Sequence, residues 1–334
     1  MFHHGRPRTR LIFSLLLATQ FMRFSFAQAV ADQSSQQPIS IASLGLTSVD
    51  ATALQNAISA RDYPAAERIL LAAINHDSHS PRAAHLFAFA GTVYFLNGDY
   101  PNAAIAWKKS EAIAPLEPAL RFSLAMAYIR MGHALWSQPV LQALAKDQPT
   151  NALYPYWLGR LDYDAQLYHE AIAHFQQAVA LAPTMARAYD NLGLCYFYEN
   201  YNTLAIESYT KAIELDRNSA HPSPWPHLNL AVTLMFLNRL DEAEVHLREA
   251  IRLDPALAPA HYQLGLVLED RNHADDAIHE LHTSIQLDAH YAEPHFALAR
   301  IYHKLGRNAD AQAEVQIFRS LHSTPHSALG SQDH

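Results

Sequence analysis

The feature that most limits how this chain can fold is a pattern that recurs about every 34 residues. The segment FQQAVALAPTMARAYDNLG (175–193) returns in similar form as LREAIRLDPALAPAHYQLG (247–265). With a Leu-Gly or similar pair set at positions 7 and 8, copies start near residues 47, 84, 118, 152, 186, 224, 258 and 292. A fixed period of about 34 residues is not expected in an ordinary helical bundle. We therefore expect an array built from one repeated unit.

The recurring positions have physical roles. Positions 4, 7, 8 and 11 lie on one face of a helix with 3.6 residues per turn, and positions 20, 24 and 27 form the matching face of a second helix. Small residues at position 8 and position 20 allow the two helices to approach closely. Position 8 holds Gly91, Ala125, Gly159, Gly193, Ala231, Gly265 and Ala299, and position 20 holds Ala66, Ala103, Ala171, Ala205, Ala243, Ala277 and Ala311. Large residues at positions 7, 11 and 24 fill the space around the contact, and a proline at position 32 often ends the second helix.

This pattern resembles the tetratricopeptide repeat. The copy YDNLGLCYFYENYNTLAIESYTKAIELD (189–216) carries the signature except for its final proline, where Arg217 stands. The resemblance implies an all-α fold, a right-handed α-solenoid of about eight helix-turn-helix repeats over residues 47–319. It also implies that first helices line a concave surface and second helices a convex one. One helical pair cannot bury its own apolar face, so each repeat depends on its neighbours.

The two ends of the chain differ from the array. Residues 1–29 carry a basic start, the apolar run LIFSLLLA and the small residues SFAQA, which is typical of an export signal. We therefore expect an exported protein, periplasmic or secreted and from a bacterial envelope, with no stable membrane insertion after cleavage. The alternatives are an uncleaved N-terminal anchor and a buried helix. Residues 30–46 are predicted to be a flexible linker, residues 217–226 a longer loop, and residues 320–334 a disordered tail.

Composition excludes several function classes. The net charge is −8, and removal of the first 29 residues lowers it to −12 because they carry four arginines and no acid. A nucleic-acid partner is therefore not expected. Cys195 is the only cysteine, so the chain has neither an internal disulfide nor a cysteine cluster for a metal. The sequence holds no phosphate-binding glycine loop and no nucleophile motif, so we predict no enzyme activity, no cofactor and no metal site.

The resemblance places binding residues on the first helices. In the family, the stripe at positions 2, 5, 9 and 12 faces the concave groove, with position 6 beside it. An aromatic, apolar groove with a few polar groups suits a protein or peptide segment of another molecule. The predicted groove residues are Phe122, Tyr156, Arg160, Tyr163, Arg187, Asp190, Asn191, Phe197, Asn229 and Tyr262.

The first hypothesis is thus a non-catalytic scaffold for protein–protein interaction. An alternative is a histidine-dependent metal-binding or enzymatic protein of the cell envelope, in which His261, His295 and His303 converge on a pocket. Self-association through an open C-terminal repeat is compatible with the first hypothesis.

Overall fold

The computed structural model describes residues 40–76 and 80–323. The proposed signal, most of the proposed linker and residues 324–334 of the proposed tail lie outside the described residues. The described chain is all-α and divides into two compact units, residues 1–166 and 167–334.

Unit 1 contains seven α-helices in its described part. They are α1 (Ser48–Ser59), α2 (Tyr63–His76), α3 (Pro81–Leu96), α4 (Tyr100–Glu111), α5 (Pro118–Arg130), α6 (Ala134–Asp147) and α7 (Leu153–Asp164). Each of α1–α6 packs on the next helix in the chain, and α3 also packs on α5.

Unit 2 continues the alternation with nine α-helices in its described part. They are α8 (Tyr168–Leu181), α9 (Ala186–Tyr198), α10 (Asn202–Asp216), α11 (Trp225–Phe236), α12 (Leu240–Leu253), α13 (Ala258–Asp270), α14 (Ala274–Leu287), α15 (Glu293–Lys304) and α16 (Asn308–Ser323). Again each helix packs on its successor, and the odd-numbered helices α9, α11, α13 and α15 also contact one another in order. Contacts between each helix and its successor, and between successive first helices, are the packing of an α-solenoid, which confirms the predicted fold class.

The odd-numbered helices are the first helices of the repeats and the even-numbered ones the second. Each odd-numbered helix begins within three residues of a predicted repeat start. The predicted loop after α10 is also present, since no helix covers residues 217–224.

A left-handed backbone residue at position 15 closes every turn between a first and a second helix. Three of these residues are glycines, Gly98, Gly132 and Gly306. The others are Arg61, Gln166, Asn200, Asn238 and Asn272, all with φ between 57° and 64°. Asparagine tolerates this conformation better than most side chains because its short amide can hydrogen-bond locally. The turn is therefore kept in all eight copies although glycine occurs in only three.

The close approach of the two helices rests on the pairing of position 8 with position 24. A Cβ atom added at Gly91 would lie 2.5 Å from Trp107, and one added at Gly193 would lie 2.6 Å from Tyr209. Trp107 and Tyr209 are completely buried. The aromatic side chain of the second helix thus lies directly on the bare backbone of the first.

The packed region begins earlier than the predicted linker boundary at residue 46. Ile41–Leu44 form a short 3-10 helix, and Leu44 is fully buried in the core cluster of α1–α3. Arg82 Nε donates a hydrogen bond to the Leu44 carbonyl at 3.0 Å. At the other end, α16 extends to Ser323, past the predicted tail start at residue 320.

Candidate functional site

Seven of the ten predicted groove residues are buried in the structure. They have less than a tenth of their surface exposed: Phe122, Tyr156, Arg160, Tyr163, Asp190, Asn191 and Asn229. A partner cannot contact these side chains without displacing their neighbours. Arg187, Phe197 and Tyr262 are half-buried and keep some accessible surface.

The buried groups of unit 1 contact one another within α5–α7. The Phe122 ring lies 5.9 Å from the Tyr154 ring, centroid to centroid. The Arg160 guanidinium lies 3.6 Å from an Asp164 oxygen and 5.6 Å from the centre of the Tyr163 ring. Burial raises the pKa of Asp164, and the positive charge of Arg160 opposes that increase. These contacts support the packing of unit 1.

The buried amides of unit 2 hydrogen-bond within the protein. Asn229 Nδ2 donates to Asp190 Oδ1 at 2.9 Å, which links α11 to α9. Asn191 Nδ2 donates to the Arg187 carbonyl at 2.7 Å, one turn back in α9. Asn191 and Asn229 are predicted groove residues, whereas their amide nitrogens bond the repeat array itself.

An exposed apolar strip lies on the first helices of unit 2, and we call it the unit 2 face. Its members are Phe197 on α9, Val232, Met235 and Phe236 on α11, and Tyr262 and Leu266 on α13. Phe236 is 51% exposed and the other five are half-buried. Val232, Met235 and Phe236 share one face of α11, as Tyr262 and Leu266 do on α13.

Ring contacts hold the unit 2 face in place. The Phe197 and Phe236 rings meet edge to face, with centroids 5.7 Å apart. The Tyr262 ring meets Tyr291 in the same manner at 5.2 Å. Burial raises the pKa of the Tyr262 hydroxyl, so this group stays protonated at neutral pH. The face is a preformed apolar surface, which lowers the entropy cost of binding.

A charged cluster ends the apolar row at position 12. Phe197, Met235 and Glu269 occupy this position in successive first helices. Glu269 Oε1 accepts hydrogen bonds from Lys304 Nζ at 2.6 Å and from Arg300 Nε at 2.9 Å. Burial alone would raise the pKa of Glu269, but the bonds from Arg300 and Lys304 outweigh it and hold that pKa below its usual value. Arg300 is 45% exposed and Lys304 is 60% exposed, and the Asp270 carboxylate also acts on Arg300, so the cluster sets two cations against two carboxylates.

Tetratricopeptide repeat profiles match residues 52–118, 122–186, 186–219, 227–257 and 262–318. These ranges cover well over half of the chain. This chain belongs to the tetratricopeptide repeat family.

Solved structures of tetratricopeptide repeat and other proteins share the fold. A tetratricopeptide repeat protein from Parabacteroides merdae aligns with a TM-score of 0.59 and 14% identity, over 74% of this chain and 95% of that one. PilW, a type IV pilus biogenesis factor, aligns with a TM-score of 0.56 and 18% identity, over 64% of this chain and 98% of that one. The Cut9–Hcn1 hetero-tetramer of APC/C aligns with a TM-score of 0.57 and 16% identity, over 74% of this chain and 54% of that one. At these identities the likeness establishes the fold alone.

The histidines of the metal or enzyme hypothesis do not converge on one pocket of this tetratricopeptide repeat array. His261 Nδ1 lies 2.7 Å from a Glu280 oxygen, and His295 Nδ1 lies 2.6 Å from a Glu314 oxygen. His303 is exposed and its Nδ1 lies 3.2 Å from Asn308 Oδ1. Over residues 40–76 and 80–323, no three His, Cys, Asp or Glu side chains are grouped as metal ligands. Cys195 is fully buried in α9.

The His261–Glu280 pair gives a pH-dependent stability. The hydrogen bond to Glu280 is the main cause that raises the pKa of His261, while burial opposes it. A raised pKa means that the stabilisation is complete below pH 6.5 and is lost as pH rises through the folded-state pKa. We therefore expect His261→Gln to lower the urea midpoint more at about pH 5.5 than at about pH 8.5. The matched control is His221→Gln on the exposed loop, which should show no such difference, and an equal loss at both pH values for His261→Gln would contradict the assignment.

Several surface features could not be predicted from the groove positions 2, 5, 9 and 12 of the repeats. Phe236 is at position 13, one residue outside the predicted stripe, yet it is the most exposed member of the unit 2 face. Arg300 and Lys304 donate hydrogen bonds to Glu269, which lies 31 and 35 residues earlier in the chain. Their role therefore could not be predicted from the sequence around them. The sequence feature that could have indicated this cluster is position 12, which changes from apolar residues in the preceding repeats to Glu269.

Proposed function

We propose that this tetratricopeptide repeat protein is a non-catalytic scaffold that binds a segment of another protein on its unit 2 face. The observation that carries the proposal is the set of partly exposed apolar side chains on three successive first helices that contact in order, with Phe197 and Phe236 in ring contact. Exposed apolar side chains grouped on one surface mark interaction sites more often than single exposed residues do. Family membership supports protein binding as the general role.

The chemistry of the face favours an apolar segment with an acidic neighbour. Full burial of one large apolar side chain is worth about 1.5–3 kcal/mol. Two or three such contacts on Phe236, Met235 and Tyr262 would supply most of the binding free energy. The exposed Arg300 and Lys304 side chains would add orientation by attracting a carboxylate of the partner.

The test uses two substitutions that add the same charge at different faces. Phe236→Asp places a carboxylate on the unit 2 face, and Val245→Asp places one on α12, where Val245 is 66% exposed. We expect a partner captured from host extract by the unaltered chain to be retained by Val245→Asp and lost by Phe236→Asp. Both variants should keep the helical circular dichroism signal and a cooperative melt.

Capture of the same partner by Phe236→Asp would remove the unit 2 face as the binding site. Capture of further copies of this chain alone would indicate self-association in place of binding to another protein.

Export is proposed on the pattern of residues 1–29, with its basic start, apolar run and small residues. Among the described residues, no helix is long and apolar enough to cross a membrane. N-terminal sequencing of the chain recovered from its host distinguishes a start near residue 30 from an intact N-terminus.

A further inference from the structure

Two histidines face each other across the repeat formed by α11 and α12. His227 on α11 and His246 on α12 are both half-buried, and their Nδ1 atoms lie 3.0 Å apart. The ring centroids are 5.2 Å apart with an interplanar angle of 38°. These residues occupy positions 4 and 23 of their repeat.

The same two positions hold a different pair in the next two repeats. There a histidine at position 4 meets a glutamate at position 23, as His261 meets Glu280 and His295 meets Glu314. A carboxylate only accepts hydrogen bonds, so it suits an imidazole N–H. In the α11–α12 repeat a second imidazole replaces that carboxylate. Two Nδ1 lone pairs in contact repel, so the pair needs either one shared proton or a cation between the nitrogens.

The distance suits a metal ion. A zinc–imidazole bond is about 2.0–2.1 Å long, and two such bonds at the tetrahedral angle place the nitrogens about 3.3 Å apart. The observed 3.0 Å is a hydrogen-bond distance, so the two rings would move apart by a few tenths of an ångström to admit the ion. A cation here would connect a first helix to its second helix.

The surroundings keep both imidazole rings neutral, which is the protonation state that binds a metal ion. Burial is the main cause that lowers the pKa of His227 to about 4, and burial also lowers the pKa of His246. Both imidazoles are therefore neutral at pH 7, which is the state that binds metals. Glu249 lies close enough for its negative charge to act on both rings, and the hydrogen bond from Arg252 lowers the pKa of Glu249. Glu242 adds a second negative charge at His246, while the positive charge of Arg252 at His227 opposes both carboxylates.

We propose that His227 and His246 bind a divalent first-row transition metal ion between their Nδ1 atoms, with water at the remaining coordination positions. This site is independent of the unit 2 face and of the three histidines that the sequence singled out. Nitrogen ligands imply a rank order of affinity in which Mn²⁺ binds weakest and Cu²⁺ strongest, with Ni²⁺ and Zn²⁺ between them. Mg²⁺ and Ca²⁺ prefer oxygen ligands and should not bind.

The experiment is a titration of the chelator-treated full chain with Zn²⁺ by isothermal calorimetry at about pH 7.5, where neutral imidazoles bind metals, repeated with Ni²⁺ and Mg²⁺. We expect one saturable phase with Zn²⁺ and Ni²⁺ that is lost in both His227→Ala and His246→Ala. The matched control is His261→Ala, which removes the histidine at the same repeat position whose partner is a carboxylate. His279→Ala is a second control, because His279 and His282 form a solvent-side pair spaced i, i+3. Both controls should retain the phase.

Two further measurements decide the result. Hydrogen exchange in α11 and α12 should slow on addition of Zn²⁺ in the unaltered chain and stay unchanged in His227→Ala. Absence of a saturable phase in the unaltered chain, or its persistence in His227→Ala, would overturn the proposal. The contact would then be an N–H···N hydrogen bond between two neutral imidazoles.

Discussion

Replacement of Trp107 by alanine is expected to lower the free energy of unfolding by about 3–5 kcal/mol, the range seen for large aromatic side chains removed from a core. Trp107 is completely buried and lies against the backbone of Gly91. Its indole N–H donates a hydrogen bond to the Ala88 carbonyl at 3.0 Å. The first helix cannot fill the vacated space from its own side, because it carries no Cβ at Gly91. Urea denaturation followed by circular dichroism measures the change.

A milder substitution separates packing from hydrogen bonding. Trp107→Phe keeps an aromatic ring and loses the N–H donor, which is worth about 1 kcal/mol. We therefore expect Trp107→Phe to retain much of the stability that Trp107→Ala loses. Similar losses for the two variants would show that the ring itself contributes little and that the Gly91–Trp107 contact is not a main support of unit 1.

The second large effect is expected at Gly193, where alanine should cost about 1–3 kcal/mol through overpacking. A Cβ atom at this position would lie 2.6 Å from the Tyr209 ring, which is fully buried and has little room to move. The helix propensity of alanine would return up to about 1 kcal/mol, so the steric clash outweighs it. A lower free energy of unfolding in Gly193→Ala would show that the steric clash with Tyr209 dominates. A higher one would show that the helix propensity of alanine dominates.

A double substitution tests the cause of that loss. Positions 8 and 24 hold Ala and Leu together in two other repeats, at Ala125 with Leu141 and at Ala231 with Leu247. The chain with both Gly193→Ala and Tyr209→Leu should be more stable than the sum of the two single changes predicts, by about 0.5–3 kcal/mol of coupling. Strict additivity would mean that Gly193 and Tyr209 do not limit each other.

Much of the fold could be predicted because every repeat packs a first helix against a second helix through the same positions. The 34-residue period gave the helix starts, and the small residue at position 8 gave the helix contact. The turn was only partly visible, since Asn200, Asn238 and Asn272 adopt the left-handed conformation that glycine marks in other copies. The 3-10 helix at Ile41–Leu44 was hidden because four residues carry no helical periodicity, and its partners, the apolar core and Arg82, lie further along the chain.

The binding residues were less predictable, because a position in a repeat fixes direction but not exposure. Asp190 and Asn229 point from neighbouring first helices and bond each other, which buries both. Phe236 lies one residue past the predicted stripe and is half exposed. Exposure depends on the side chains contributed by adjacent repeats, and a single repeat copy does not contain that information.

The most direct test of binding on the unit 2 face is site-specific photo-crosslinking in the native host. A benzophenone amino acid would replace Phe236 on the unit 2 face in one variant and Val245 on α12 in a matched variant. Binding on the unit 2 face predicts a covalent adduct with one defined protein at position 236 and none with that protein at position 245. Adducts with the same protein at both positions, or at position 245 alone, would contradict it.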